Sequence, residues 1–271
     1  MSDDEEIYGV KSEGPLDEFE EAAIEEVQTL FNENKKRVFY GRQVEVMLED
    51  RFLHWITSRA LRDLVERKII KKEIAKLKWG GHVTLYWHPT FRYYKSAAKK
   101  VVEIVEKYSL DKIGSSIGHH CELLVVEGFA KFKFTLQGRN VNEFAGRIWT
   151  ESEHNLDMIF ERDGIGYGIE VKNTLGYMDR NEFELKIRMC RYLGLKPVFV
   201  ARMLPKSWID FLVRHGGFAL ILKYQLYPEF LDDLVAQMKD ELQLPAGCPK
   251  SLLEGTVRRF EKWHEKQVNL E

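Results

Sequence analysis

One short stretch near the middle of the chain, residues 154–173, constrains the fold most strongly. It contains an Asp163-Gly164 turn signal with apolar residues on both sides. The apolar residues are Leu156, Met158, Ile159, Phe160, Ile165, Tyr167, Ile169 and Val171. Asp-Gly between two apolar runs predicts a β-hairpin. Because side chains alternate along a strand, Glu170 and Lys172 are expected to share one face of the second strand.

The polar residues of this hairpin favour a metal site. Asp157 on the first strand, together with Glu170 and Lys172 on the second, would bring two carboxylates and an amine to one place. Carboxylates that lie close together repel unless a cation lies between them, and their hard oxygens suit Mg²⁺ or Mn²⁺. Such a site hydrolyses phosphodiesters, because the metal polarises the phosphoryl oxygen and lowers the pKa of a bound water.

The Glu-x-Lys pattern needs its context, since 31% of the chain is charged and the pattern occurs four times. Only the pair Glu170 and Lys172 lies at the end of an apolar strand. Asp157 precedes Glu170 by 13 positions. The alternative is a solvated edge hairpin with a surface ion pair, which contributes about 1 kcal/mol or less.

The Asp157 and Glu170-Val171-Lys172 pattern resembles the PD-(D/E)XK nuclease superfamily, although Leu156 stands in place of proline before the Asp. The resemblance implies an α/β fold, with a restriction endonuclease-like α/β/α core and a mixed sheet. It implies that Asp157 and Glu170 bind the metal and that Lys172 positions water. The preceding helix, predicted at 117–129 after a loose segment at 114–118, commonly supplies one more acidic catalytic and metal-binding residue. Glu122 fits best, and Glu127 is the alternative.

The elements around the hairpin fit the same core. Strands are predicted at 131–136 and 146–150, and again at 196–203 and 218–223. Helices are predicted at 178–193, 205–215, 229–242 and 251–267. In related folds the helix after the hairpin often brings a basic side chain toward the site or the DNA. Lys186 is the candidate, and a solvated face of that helix is the alternative.

Residues 36–90 predict a second module. Two helices, at 41–49 and 54–67, precede two strands at 69–77 and 82–88 that flank a Gly-Gly turn. This order resembles the winged-helix family, whose second helix enters the major groove. The expected DNA-binding residues are Ser58, Arg59, Arg62, Lys76 and Lys78, with His82 also on the wing. The segment has 12 basic and 6 acidic residues. Winged helices that bind proteins are the alternative.

The length of 271 residues allows two domains. The predicted division is an acidic flexible N-terminus (1–14), a winged-helix domain (15–90), a connecting helix (91–110) and a nuclease-like domain with C-terminal helices (111–271). The first 26 residues hold 11 acidic side chains and one Lys, whereas the remainder has 40 basic and 32 acidic residues. That basic remainder permits nucleic-acid binding.

The sequence has no run of 18 apolar residues and begins with acidic residues, so neither a membrane span nor secretion is expected. Cys121, Cys190 and Cys248 are far apart and odd in number, which favours a reducing, cytoplasmic location. In a prokaryote the protein would be expected to associate with the nucleoid.

The sequence therefore predicts a divalent-metal-dependent DNA endonuclease acting in DNA repair, recombination or restriction. Its expected partner is duplex or branched DNA, and a homodimer is expected because cutting both strands needs two sites. A catalytically inert winged-helix DNA-binding regulator or repair scaffold is the alternative, and RNA processing is a third hypothesis.

Overall fold

The computed structural model describes residues 18–269, which form two compact units. The N-terminal unit contains the chain up to residue 114 together with 233–245, and the C-terminal unit contains 115–232 and the residues from 246 onward. The predicted flexible segment 1–14 and the first residues of the predicted winged-helix domain (15–90) lie outside the described residues. Within residues 18–269, no helix is long and apolar enough to cross a bilayer.

Nine α-helices and twelve strands are found in residues 18–269, besides a short 3₁₀ helix at Glu229–Leu231. The helices are α1 (Glu18–Glu33), α2 (Gly41–Met47), α3 (His54–Glu66), α4 (Tyr94–Tyr108), α5 (Asp111–Lys131), α6 (Arg180–Leu193), α7 (Lys206–Arg214), α8 (Asp232–Leu242) and α9 (Glu254–Val268). The strands are β1 (Val38–Tyr40), β2 (Lys71–Lys76), β3 (His82–Trp87), β4 (Thr135–Val141), β5 (Glu143–Phe144), β6 (Arg147–Ile148), β7 (Leu156–Arg162), β8 (Ile165–Lys172), β9 (Lys196–Ala201), β10 (Phe218–Ile221), β11 (Gln225–Leu226) and β12 (Ala246–Gly247).

The N-terminal unit packs helices against a three-stranded antiparallel sheet in the order β1-β3-β2. Its buried residues come mainly from α1, α2 and α3 and include Val27, Phe31, Phe39, Val44 and Leu61. The bounds of α2, α3 and the β2–β3 hairpin agree with the predicted elements to within two or three residues.

Helix α8 belongs to the N-terminal unit, whereas the predicted C-terminal domain ran without a break from 111 to 271. Side-chain and backbone atoms of α8 form hydrogen bonds with other residues of that unit. Lys107 Nζ donates to Gln237 Oε1 at 2.9 Å, and Gln43 Nε2 donates to the carbonyl of Leu242 at 2.9 Å. Contacts between residues so distant in sequence leave no local pattern from which they could be predicted.

The C-terminal unit contains a five-stranded mixed sheet in the order β10-β9-β8-β7-β4. Strand β7 pairs antiparallel with β4 and with β8, whereas β9 pairs parallel with β8 and with β10. The parallel strands are joined through α6 and α7, as such connections require. One buried cluster joins one face of the sheet to α5 and α9, and two others join α6 and α7 to it.

Two sequence predictions before the hairpin are wrong. The expected loose segment at 114–118 is part of the continuous helix α5. A glycine costs about 1 kcal/mol in a helix, and burial of Ile117, Cys121 and Leu124 on α5 outweighs that cost. The strand expected at 131–136 begins at Thr135, because Lys133 adopts a left-handed conformation (φ 62°) after the helix end.

Candidate functional site

The predicted hairpin is formed by β7 and β8. Its turn residues, Asp163 and Gly164, have φ values of 54° and 77°. Two consecutive left-handed residues match the right-handed twist of the flanking strands. Met158 pairs with Ile169 in the antiparallel register, so continuing the register by one residue sets Asp157 opposite Glu170. The acidic residues therefore lie on adjacent strands.

Asp157 is fixed by the backbone of the neighbouring strand. Its Oδ2 accepts a hydrogen bond of 2.7 Å from the Val171 amide. Burial raises the pKa of Asp157 above its usual range, and Glu122 adds to this, although the Val171 amide and the two nearby lysines oppose it. The net upward shift means that Asp157 lacks positive charge sufficient to offset its burial.

Glu170 is the most buried acid of the site, with 2% of its surface exposed. Its Oε1 lies 3.2 Å from Lys172 Nζ, and its Oε2 lies 2.6 Å from Lys186 Nζ. Burial and, after it, the negative charge of Asp157 raise the pKa of Glu170 to about 7, although Lys186 and Lys172 lower it. The two acids repel each other, as two carboxylates at a cation site do.

Lys172 bridges two acids on different elements. Its Nζ lies 3.0 Å from Oε1 of Glu182 on α6 as well as 3.2 Å from Glu170. Burial opposes the charged form of Lys172, but Glu170 and Glu182 outweigh it, so the pKa is raised. Lys172 therefore keeps its proton at neutral pH and acts as a cation and hydrogen-bond donor, not as a base.

Lys186 is buried in this cluster, which corrects both its solvated-face alternative and its expected contact with DNA. It is 5% exposed, and its Nζ donates to Glu170 Oε2 and, at 2.5 Å, to the carbonyl of Asn155. Gly168 of β8 permits this position by letting α6 approach the strand. A Cβ on Gly168 would lie 2.5 Å from Sγ of Cys190, one helical turn after Lys186.

Glu122 does not join the acidic pair as a third ligand. Its Oε2 accepts a hydrogen bond of 2.7 Å from Arg139 Nη2. The alternative, Glu127, pairs with Lys131 on the exposed side of α5. Across residues 18–269 no three His, Cys, Asp or Glu side chains converge as a set that could hold a metal ion. Glu122 still acts on Asp157 through its charge.

Sequence reasoning missed two partners of the cluster, Glu182 and Asn155, and the buried Asn173 beyond β8. Asn173 Nδ2 donates to the carbonyls of Ile117 and Leu226 at 3.1 and 2.7 Å, and its Oδ1 accepts from the Leu226 amide at 2.9 Å. These bonds fix the end of the strand that carries Lys172. The sequence signal for Asn173 was its position as a polar residue directly after the Glu-x-Lys pattern.

The expected DNA-binding residues of the N-terminal unit differ in accessibility. Ser58 and Arg59 are half-buried instead of exposed, because Ser58 Oγ bonds to Glu45 and Arg59 Nη1 lies 2.5 Å from Glu20 Oε1. Their side chains therefore have protein partners within the unit. The exposed ones are Arg62, Lys76, Lys78 and His82. The Nζ of Lys78 lies 3.1 Å from Glu106 Oε2.

Comparisons with known proteins show no family for this chain. No protein-family model matches the chain, and no curated protein matches it. A solved structure that aligns with it is the crystal structure of protein VC1899 from Vibrio cholerae, with 16% sequence identity and a TM-score of 0.27. The alignment covers 83% of this chain and 50% of that one, so the chain spans about half the length of that protein.

Proposed function

We propose that the protein is a divalent-metal-dependent endonuclease that hydrolyses DNA phosphodiester bonds. The observation that carries the proposal is the buried cluster in which Glu170 lies opposite Asp157 and 3.2 Å from the Lys172 ammonium. Strand order and helix placement around it support a PD-(D/E)XK-like core. DNA repair, recombination or restriction is the proposed setting.

The donors of the cluster fit Mg²⁺ or Mn²⁺. Mg²⁺ is usually held by one or two carboxylates and completes its shell with waters and phosphate oxygens, so a third acidic side chain is not needed. Asp157 and Glu170 both have raised pKa values, because burial disfavours their charged forms and neighbouring carboxylates add to that effect, and a bound cation would stabilise the charged forms. A bound ion would polarise the phosphoryl oxygen and activate a water.

The chain's own residues then have distinct roles. Asp157 and Glu170 would hold the ion, with Asp157 kept in place by the Val171 amide. Lys172 retains its proton and would donate to the attacking water or to a phosphoryl oxygen, offsetting the charge that develops there. Glu182, 3.0 Å from Lys172, would orient the ammonium when Glu170 turns to the metal.

The N-terminal unit supports DNA as the partner. Its order of helix, strand, two helices and two strands, with a β1-β3-β2 sheet, resembles a winged helix and supports the proposal. We propose that this unit binds DNA, with Arg62 on α3 and Lys76 and Lys78 by the β2–β3 turn contacting the backbone. A homodimer would supply two cutting sites for two strands.

A catalytically inert DNA-binding regulator or repair scaffold is the second candidate, and one observation favours it. Both oxygens of Glu170 already contact lysine ammonium groups, at 3.2 and 2.6 Å. A carboxylate compensated by two lysines can remain buried without any metal. Cleavage separates the two candidates, because the inert protein would bind DNA and leave it intact.

The test uses the full chain with supercoiled plasmid and with linear, forked and four-way-junction DNA, in Mg²⁺, in Mn²⁺ and in EDTA. We expect metal-dependent cleavage that falls about 100-fold or more in Asp157→Asn and in Lys172→Met. Matched RNA substrates test the RNA hypothesis. Wild type that cuts no substrate, or variants that cut as fast as wild type, would contradict the proposal.

Two exposed residues of α7 provide matched controls. Asp210→Asn and Lys206→Met make the same chemical changes at solvent-facing positions of the same unit. We expect both to cut at the wild-type rate. The Asp157 and Lys172 variants should still bind DNA with the wild-type salt dependence, since phosphate contacts to the winged helix set that dependence.

A further inference from the structure

The turn between β2 and β3 carries an exposed tryptophan. Trp79 has 73% of its surface exposed, and Ile74 on β2 has 61% exposed. An indole this exposed adds little to the stability of the unit, because it removes almost no apolar area from water. Aromatic side chains such as Trp are enriched at surfaces that bind partners.

The backbone holds Trp79 at the tip in a fixed position. The Leu77 amide donates to the Gly81 carbonyl and the Gly80 amide donates to the Leu77 carbonyl, at 3.3 and 3.2 Å. Glu106 on α4 anchors the residue before the tryptophan, accepting from the Lys78 amide at 2.8 Å and from its Nζ at 3.1 Å. A planar side chain on such a braced turn loses little further conformational freedom on binding.

The space beside the tip is open to a flat ligand. Gly80 and Gly81 have φ values of 101° and 78°, a conformation that requires glycine. A Cβ at either position would meet nothing within 4 Å. The glycine pair thus shapes the turn and also leaves the flank of Trp79 without side chains.

The surroundings of the tip are basic. Residues 74–84 contain no acidic residue, and Lys76 pairs with His82 across the hairpin, so both side chains lie on one face. That face leads into a cleft of about 490 Å³ between α3 and the hairpin, whose wall includes Arg62 and Lys72 together with Glu45, which pairs with Arg42. A row of cations beside an exposed aromatic ring suits a strand with a phosphate backbone and an unstacked base.

We propose that Trp79 stacks on an unpaired DNA base, so that the protein prefers forked or flapped DNA to uninterrupted duplex. The inference rests on DNA binding by the N-terminal unit in the proposed function, and names the substrate class. In a continuous duplex every base is stacked on both faces, so the indole gains a stacking partner only where a base is already exposed. Lys76 and His82 would hold the adjacent phosphates.

The test measures binding by the full chain in EDTA, so that no cleavage occurs. The probes are a DNA fork with 2-aminopurine at the unpaired branch position, a blunt duplex of the same sequence, and an RNA fork. We expect Trp79→Ala to weaken binding of the DNA fork about tenfold and to abolish the fluorescence quenching, with blunt-duplex affinity unchanged. Trp79→Phe should retain most of the affinity and the quenching.

The matched control is Phe230→Ala, which removes an aromatic ring that is 74% exposed in the C-terminal unit. It should bind the fork as wild type does. Equal fork binding by wild type and Trp79→Ala overturns the inference. So does a Trp79 effect confined to the RNA fork, or dissociation of a dimer by Trp79→Ala in sedimentation. Because metal is absent, failure of cleavage does not affect this measurement.

Discussion

Lys186 of α6 and Glu170 of β8 form a buried ion pair, with 2.6 Å between Nζ and Oε2. Both residues are at most 5% exposed. The pair ties a helix to the strand that carries the candidate metal ligands, so its charge balance affects both stability and the site.

Removing the buried ammonium should destabilise the protein in a pH-dependent way. Breaking one side of a buried pair typically costs about 3 to 5 kcal/mol, because a buried charge is left uncompensated. In Lys186→Met that charge is on Glu170, which protonation can remove. We expect a large loss of unfolding free energy at pH 8 and a smaller loss at pH 5, measured by urea denaturation. An equal loss at both values would contradict the assignment.

The free energy of unfolding of the wild-type protein should depend on pH because of Glu170. Its pKa is 4.5 for the isolated group and about 7 in the folded protein, so the folded state binds the extra proton between those values. The stabilisation is therefore fully present below pH 4.5 and is lost as pH rises through about 7. Glu170→Gln should show a flatter stability profile over this interval, measured by chemical denaturation. Glu184→Gln, at a half-exposed position of α6, should keep the wild-type profile.

Metal binding should depend on the same proton. The carboxylate must be deprotonated to bind Mn²⁺, so affinity should rise as pH increases through about 7 and binding should release protons. Electron paramagnetic resonance titrations at pH 6 and pH 8 measure the change. Asp157→Asn should abolish the binding, and Asp210→Asn should leave it intact. Affinity that does not change with pH would exclude Glu170 as a ligand.

Gly168 of β8 should not tolerate a side chain. In Gly168→Ala the new methyl would lie 2.5 Å from Cys190 Sγ and 2.9 Å from Leu156 Cδ1, so α6 or the strand must shift. Overpacking of this kind costs about 1 to 3 kcal/mol, and a shift of α6 would lengthen the contact between Lys186 and Glu170. The midpoint temperature of thermal denaturation and the affinity for Mn²⁺ should both fall. Gly114→Ala, in open space on α5, should be neutral or stabilising.

Glu182 should prove to be a positioning residue for Lys172. With Glu182→Gln the ammonium loses a charged partner at 3.0 Å. We expect cleavage to fall about 10-fold while Mn²⁺ affinity changes little. The paired control, Glu184→Gln, removes a carboxylate that bonds to Arg180 instead. If both variants cut equally, the bridge from Lys172 to Glu182 has no role in the site.

The local sequence determined the β7–β8 hairpin and the face shared by Glu170 and Lys172. The Asp-Gly turn and the alternation of strand side chains act over a few residues, and the structure has both. The α2–α3 pair and the β2–β3 hairpin were predictable for the same reason, because helical periodicity and a Gly-Gly turn are also local signals.

Tertiary structure alone decided which charged groups meet at the hairpin. Lys186 looked solvated because its helix is charged overall, and it is buried because Gly168 lets α6 approach β8. The position of Glu122 on α5 predicted a third ligand, but its carboxylate accepts a hydrogen bond from Arg139 on β4 instead. Periodicity gives the face of an element, whereas the partner of that face depends on how closely two elements far apart in sequence can pack.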